Sequence, residues 1–212
     1  MPKYVDHDRR RDEITDATLA IIARDGIRAI KTRTVAEESG WSTGSLAHYF
    51  GSSRELLLGS MRRATEVQGR ILRTYRDKSG LTPLEALYGI VESLLPFDDR
   101  RLALNRIFLA FCGEATADDK LNEEISEYFD NIRRFVRRAI VAAQDQGYVR
   151  GDIDADNATL HLCALIDGFT LHALFDPQIM KDLQARAGLA QEMVTTALLP
   201  PTAAPTDMHA KP

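Results

Sequence analysis

The densest run of hydrogen-bonding chemistry in the chain lies between Lys31 and Phe50, KTRTVAEESGWSTGSLAHYF. Val35 and Ala36 set an apolar face on one short helix, and Leu46 and Phe50, four residues apart, set a matching face on a second. The residues left pointing outward on the second, Thr43, Gly44, Ser45 and His48, are small or hydrogen-bonding, and Ser42 is placed to cap it. Two short helices around a tight turn, here Gly40-Trp41-Ser42, make a helix-turn-helix, whose second helix enters the major groove of DNA. The outward groups would then meet base edges and phosphates. The same spacing also suits two short helices that do no more than pack together, so both readings stand at this point.

Other residues offer different chemistry. Arg9-Arg10-Arg11 reads either as a basic arm following phosphates, with Arg10 a DNA contact, or as a solvated terminus paired with Asp6, Asp8, Asp12 and Glu13. Farther on, Asn105, Phe108, Phe111, Cys112 and Glu114 share one expected helix, and His161, Asp167, Phe169 and His172 share another. A carboxylate among aromatic rings holds a cation by charge and cation–π attraction, which suits an amine or quaternary ammonium effector. Taken singly, each of these residues also reads as an ordinary core or surface group. Asp167 stands out because a carboxylate in so apolar a helix needs a partner. Arg133, Arg134, Arg137 and Arg138 share a face, but Asp130 precedes Arg134 by four residues and a solvated, salt-bridged face accounts for them.

Catalysis finds no such footing. HExxH, GxSxG, a phosphate-binding glycine loop and metal-ligand spacings are all missing, so neither catalytic residues, a metal nor a cofactor is expected. Cys112 and Cys163 stand far apart, which excludes a disulfide framework and fits a reducing, cytoplasmic setting, and the polar start MPKYVDHDRRRDE lacks the apolar stretch of a signal peptide. The net charge of −4 argues against nucleic acid only on average: residues 1–63 hold 11 Lys+Arg against 9 Asp+Glu, the remainder 16 against 22. Anion binding therefore belongs to the N-terminal end.

The elements that must position these groups are helical throughout. Alternating β-branched runs with hairpin turns are absent from the sequence, so an all-α fold of about nine helices is expected. They fall at about 8–25, 32–39, 43–50, 52–77, 83–95, 100–115, 120–146, 154–175 and 179–199. Leu57, Met61, Ala64, Ile71 and Tyr75 mark the fourth helix's apolar stripe, and Thr82-Pro83-Leu84-Glu85 is a capping box for the fifth. The layout is a three-helix DNA-binding module over 1–51, joined by the long fourth helix to an effector-binding and dimerisation domain over 52–199, with a disordered tail over 200–212. The segment 158–175 is long and apolar enough to suggest a membrane span, but His161, Asp167, Gly168 and His172 favour a buried helix of a soluble protein. Ala164 and Gly168 allow close approach of another backbone. With Leu183, Ala187, Ala190, Met193, Val194 and Ala197, the last two expected helices suit half of an intermolecular four-helix bundle in a homodimer.

The order of these parts resembles the TetR family of bacterial transcriptional regulators. The resemblance is carried by Val35-Ala36, Ser39-Gly40, Ser42, Gly44, Leu46, Tyr49-Phe50 and Arg54-Glu55-Leu56-Leu57, without a gap. It is closest to the BetI-like branch through Ser42-Thr43-Gly44, His48-Tyr49-Phe50-Gly51 and Leu165-Ile166-Asp167-Gly168. It implies a repressor of a pseudo-palindromic, double-stranded operator, released by a small molecule. It also implies roles for residues: Arg33 at a base, Thr32 and Tyr49 at phosphates, Thr43, Gly44 and Ser45 along the reading edge, and Ser53 where the family places a lysine. Trp41 replaces the usual Val and must fill a pocket or lie against the DNA backbone. Ala47 replaces a usual Tyr, and Lys31 takes the place of a capping Thr or Ser, so Thr32 is the expected cap. The readings left beside this one are a helical enzyme and a ligand-binding interaction protein without DNA recognition.

Overall fold

A computed structural model of the chain describes residues 7–185 and 188–198. Among these residues there are ten α-helices and no strand. The chain divides into two compact units, Met1–Ile71 with Asp98–Asn131, and Leu72–Phe97 with Ile132–Pro212. The tail expected over 200–212 and Ala187 lie outside the described residues, as does the side chain of Leu183.

In the first unit, α1 (His7–Asp25) turns Ile14, Ile21 and Ile22 inward. It stops at Gly26, whose φ of 83° favours a residue without a Cβ. After a 3-10 turn (Ile27–Ala29) come α2 (Thr32–Ser39) and α3 (Thr43–Tyr49). Ile14, Ile21, Val35, Ala36, Leu46, Phe50 and Leu56 close into one core, with Trp41 and Tyr49 packed at its margin. Each large side chain so buried contributes roughly 1.5–3 kcal/mol, which is how helices this short stay folded. The cap of α2 differs from expectation. Thr34, not Thr32, closes it: the Thr34 hydroxyl accepts from the Lys31 N–H at 3.0 Å and lies 2.9 Å from the Ala29 carbonyl.

The fourth helix, α4 (Ser53–Arg76), buries Leu56, Ser60, Met61, Ala64, Gln68 and Leu72, and leaves Leu57, Ile71 and Tyr75 half-buried. Met61 and Ala64 of the expected stripe are thus buried, and its other members lie at the margin. Its first part is fastened to α1 by Arg63, which meets Asp12 at 2.6 Å and Asp16 at 2.7 Å. The unit is completed by α6 (Asp99–Ala115), which packs on α1, and by the first part of α7 (Asp119–Asp145).

In the second unit, α5 (Pro83–Leu94) begins at the expected box: Thr82 and Glu85 each bond the other's backbone N–H, at 3.2 and 2.8 Å. The helix α8 (Ala155–Phe175) is followed by α9 (Pro177–Ala185) and α10 (Leu189–Leu198). One helix was expected over 179–199; Gly188, at φ 86°, separates two. Against its own unit, α10 packs on α5 and α8 and buries Ala190, Met193 and Val194, which are therefore not available to a partner chain as the sequence suggested. Conversely, α8 is not buried all round. Ala158, Leu162, Cys163 and Ile166 face inward, while Leu160, Leu171 and Phe175 are 56, 46 and 74% exposed.

Candidate nucleic-acid interface

Gly40 makes the turn between α2 and α3. Its φ of 72° is left-handed, the conformation that ends α2 and sends the chain back across it. Ser42 then caps α3, its Oγ accepting the Ser45 N–H at 3.1 Å, and the two hydroxyls lie 2.9 Å apart. Leu46 points into the core, so Thr43, Gly44, Ala47 and His48 share the opposite, exposed face, with Ser45 half-buried beside them. A helix with one anchored side and one polar solvent face can enter a groove without unfolding its support.

Thr32 and Arg33 are exposed in the first turn of α2, and Arg33 pairs with Glu37 at 2.9 Å. That contact holds its guanidinium above the usual arginine range, with the hydrogen bond as the larger cause. Ser53 is exposed at the first position of α4. Its neighbour Ser52 supplies the cap, accepting the Glu55 N–H at 3.1 Å, while Glu55 reaches back to the Gly51 N–H at 2.9 Å.

The basic arm is the first turns of α1, and aromatic groups order it. The Arg10 guanidinium lies over the Trp41 ring at 4.7 Å and donates to the Tyr49 hydroxyl at 3.4 Å. Arg11 donates to the Tyr49 carbonyl at 3.0 Å and lies over Phe50 at 4.6 Å. Tyr49 is further flanked by the rings of His7 and His48, at 5.7 and 5.3 Å between centroids. Every residue singled out for DNA thus falls in the first unit. Arg11, read from the sequence only as part of the basic run, is ordered beside Arg10.

The expected effector residues are divided between the two units. In the first, Phe108 stacks on Tyr128 with centroids 3.8 Å apart, Phe111 is fully buried, and half-buried Asn105 donates to the Arg101 carbonyl at 2.9 Å. Cys112 is half-buried. In the second, His161 is exposed, while Phe169 and His172 line an apolar groove of about 530 Å³ with Ala164, Leu165, Gly168, Ile179 and Asp182. Asp167 reaches solvent, yet its apolar surroundings push its carboxyl above the usual range, with Arg133 opposing that shift. Burial, with the Asp167 charge adding to it, pushes the Cys163 thiol up to about 11. Two atoms missed by the sequence reading are Gln68 Nε2 and Thr170 Oγ1, both buried without a hydrogen-bond partner. Among the described residues, no group of three His, Cys, Asp or Glu side chains could hold a metal ion.

A capped, outward-facing second helix, seated on a three-helix core and flanked by an ordered basic arm, defines a helix-turn-helix DNA-binding protein with a helical C-terminal body. Residues 14–59 match the model for bacterial regulatory proteins of the tetR family, and residues 83–198 match that for the BetI-type transcriptional repressor C-terminal domain. The chain belongs to the TetR family of transcriptional regulators. It is 30% identical over 185 residues to the HTH-type transcriptional regulator PksA of Bacillus subtilis, covering 86% of this chain and 87% of that protein. It is 25% identical over 196 residues to the regulator BetI of Vibrio parahaemolyticus, covering 88 and 91%. Among solved structures, a TetR transcription regulator from Haloarcula marismortui shares the fold with a TM-score of 0.75 at 21% identity, covering 91% of this chain and all of that one (100%). A transcriptional regulator from Saccharomonospora viridis in complex with choline aligns with a TM-score of 0.72 at 24% identity, covering 90 and 94%.

Proposed function

We propose that the protein is a cytoplasmic repressor that binds a pseudo-palindromic operator as a homodimer and is released by a small molecule. The observation that carries the DNA site is the exposed row Thr43, Gly44 and His48 on a helix whose other side is locked by Leu46. Thr32, Arg33, Ser42, Ser45, Tyr49 and Ser53 surround that row, with Arg33 the base-reading cation. A dimer sets two recognition helices about one helical turn apart, roughly 34–36 Å, on the two half-sites.

Dimerisation is supported by α8. Its outward Leu160, Ala164, Leu171 and Phe175 leave an apolar face uncovered in a single chain, continuous in sequence with the groove at Gly168 and His172. The bundle is therefore formed by the outer faces of α8 and of the helices that follow it. Phe175→Glu is expected to shift the protein from dimer to monomer in sedimentation equilibrium, and a variant that remains a dimer removes α8 from the interface.

For the effector, the reading is an amine or quaternary ammonium. The Asp167 carboxylate would meet its charge, with aromatic faces adding cation–π attraction. The candidates are Asn105, Phe108, Phe111 and Cys112 in the first unit and His161, Asp167, Phe169 and His172 in the second, and the choline held by the Saccharomonospora viridis regulator is the first compound to try. By linkage, an effector that weakens DNA binding is itself bound less tightly by the DNA complex, by the same factor. The deciding experiment is fluorescence anisotropy with a duplex from upstream of the protein's own gene and a scrambled control at one salt concentration. Tight binding to the first alone supports a sequence-specific regulator; equal weak binding to both counts against that duplex as the operator. Release by choline supports the cation class, and release only by neutral or anionic compounds overturns it.

A further inference from the structure

Many arginines of the first unit are neutralised: Arg9, Arg24, Arg33, Arg54, Arg62, Arg63 and Arg101 each hold a carboxylate within hydrogen-bond distance. Among the described residues, Arg10 and Arg11 are held instead by rings, a phenol hydroxyl and a peptide carbonyl. These partners restrain a guanidinium without cancelling its charge. Arg10 is the more enclosed of the two, half-buried where Arg11 is exposed. It also spans the recognition helix, touching Trp41 just before α3 and Tyr49 at its last residue.

We propose that Trp41 is a positioning residue for DNA binding: its indole face, together with the Tyr49 hydroxyl, holds the un-neutralised Arg10 guanidinium beside α3, ready for a backbone phosphate. Guanidinium is planar and weakly hydrated, so it stacks on an indole without giving up its remaining N–H donors. An arginine already ordered in the unbound protein loses less conformational freedom when it meets the phosphate. Trp41 therefore acts through Arg10 rather than by touching DNA. The proposal rests on the DNA-binding reading, and the test separates the two.

The probe is a labelled duplex enriched by the full-length wild-type protein from a randomised library, titrated by anisotropy at several salt concentrations. Arg10→Ala is expected to weaken binding several-fold and to reduce the slope of log K against log salt by about 2, the loss of one phosphate contact from each protomer of the dimer. Trp41→Leu removes no charge, yet it is expected to lower the same slope, with Trp41→Phe recovering most of the loss. The double variant Arg10→Ala/Trp41→Leu should bind no more weakly than Arg10→Ala alone. A weakened Trp41→Leu with an unchanged slope, or losses that multiply in the double variant, would overturn the clamp while leaving DNA binding intact. If the wild type enriches no duplex, DNA recognition falls and the clamp with it. Should Trp41→Leu fail to fold, the stacking is still read without DNA, because Trp41 is the sole tryptophan. Faster acrylamide quenching in Arg10→Ala than in wild type supports the clamp, and equal quenching overturns it.

Discussion

Arg54 and Asp118, 64 residues apart in sequence, meet as a two-pronged ion pair: Nε and Nη2 of the arginine reach the two carboxylate oxygens at 2.5 and 2.6 Å. Asp118 also accepts the N–H groups of Lys120 and Leu121, at 3.0 and 3.1 Å, and so caps α7. One carboxylate therefore starts one helix and holds the first turn of another, the turn that follows directly from the recognition helix. Bidentate geometry distinguishes this pair from an ordinary surface contact, because it fixes direction as well as distance.

That pairing gives an acid dependence with a defined sign. The fork from Arg54, then the Leu121 N–H, hold the Asp118 carboxyl down from the ordinary 3.8 to about 2. A group whose pKa is depressed by folding contributes in full above its unfolded value and loses that contribution as pH falls through the folded one. Asp118→Asn should lower the urea midpoint at pH 7, and its deficit against wild type should shrink between about pH 4 and pH 2. A deficit constant across that range would assign the loss to geometry and not to the charge.

How much of this was legible in the sequence depends on the range of the interaction. The turn at Gly40, the Ser42 cap and the Thr82–Glu85 box are local devices, and each is found where its residues predict. Thr32 falls inside the helix, one residue past the cap position, so the Thr34 hydroxyl at the third position reaches back to the Lys31 N–H instead. Long-range charge pairs are different. Nothing in the spacing of Arg54 selects Asp118 among so many acids, and the Arg63 contacts with Asp12 and Asp16 were equally hidden. For α8, composition signals burial without saying by what; Leu162 is covered by its own chain, while Leu160 and Phe175 are not. The same ambiguity misassigned Met193 and Val194 to a partner.

Helix packing in the second unit sets a steric test. A Cβ added at Gly89 would lie 2.2 Å from Tyr75 Cδ1 and 2.6 Å from Cε1, well inside contact distance. Gly89→Ala gains up to about 1 kcal/mol of helix propensity, but overpacking of this kind costs about 1–3 kcal/mol. The variant should therefore melt at a lower temperature than wild type. In a Tyr75→Ala background the obstacle is gone, and the same substitution should become neutral or stabilising. Destabilisation that persists there would mean that the ring is not what Gly89 makes room for.

The two thiols should separate kinetically. Burial holds the Cys163 thiol near a pKa of about 11, so at pH 8 only about one molecule in a thousand carries the reactive thiolate. Cys112, half-buried, should react with a disulfide reagent first, and Cys163 only on unfolding. The linkage runs opposite to that of Asp118: the unfolded thiol ionises nearer 9 and the folded one near 11, so stability falls as pH rises across that interval. Cys163→Ala should remove this alkaline limb whatever its effect on stability at neutral pH. Equal labelling of both thiols in the native protein at pH 8 would contradict the burial of Cys163.

Sequence reading by the protein should separate from plain affinity at Arg33. Its side chain is 87% exposed at the start of α2 and paired with Glu37 one turn later. A guanidinium that forks onto guanine O6 and N7 contributes discrimination, so Arg33→Ala should lose roughly tenfold to a hundredfold preference at one base pair. Glu37→Gln should behave differently. It removes an exposed negative charge beside Arg33, and it should tighten binding to all duplexes with little change in preference. Measured on duplexes varied one base pair at a time, the two variants therefore move different quantities. If Arg33→Ala weakens every duplex equally, Arg33 touches the backbone, and sequence reading falls to Thr43, Gly44 and Ser45 on α3.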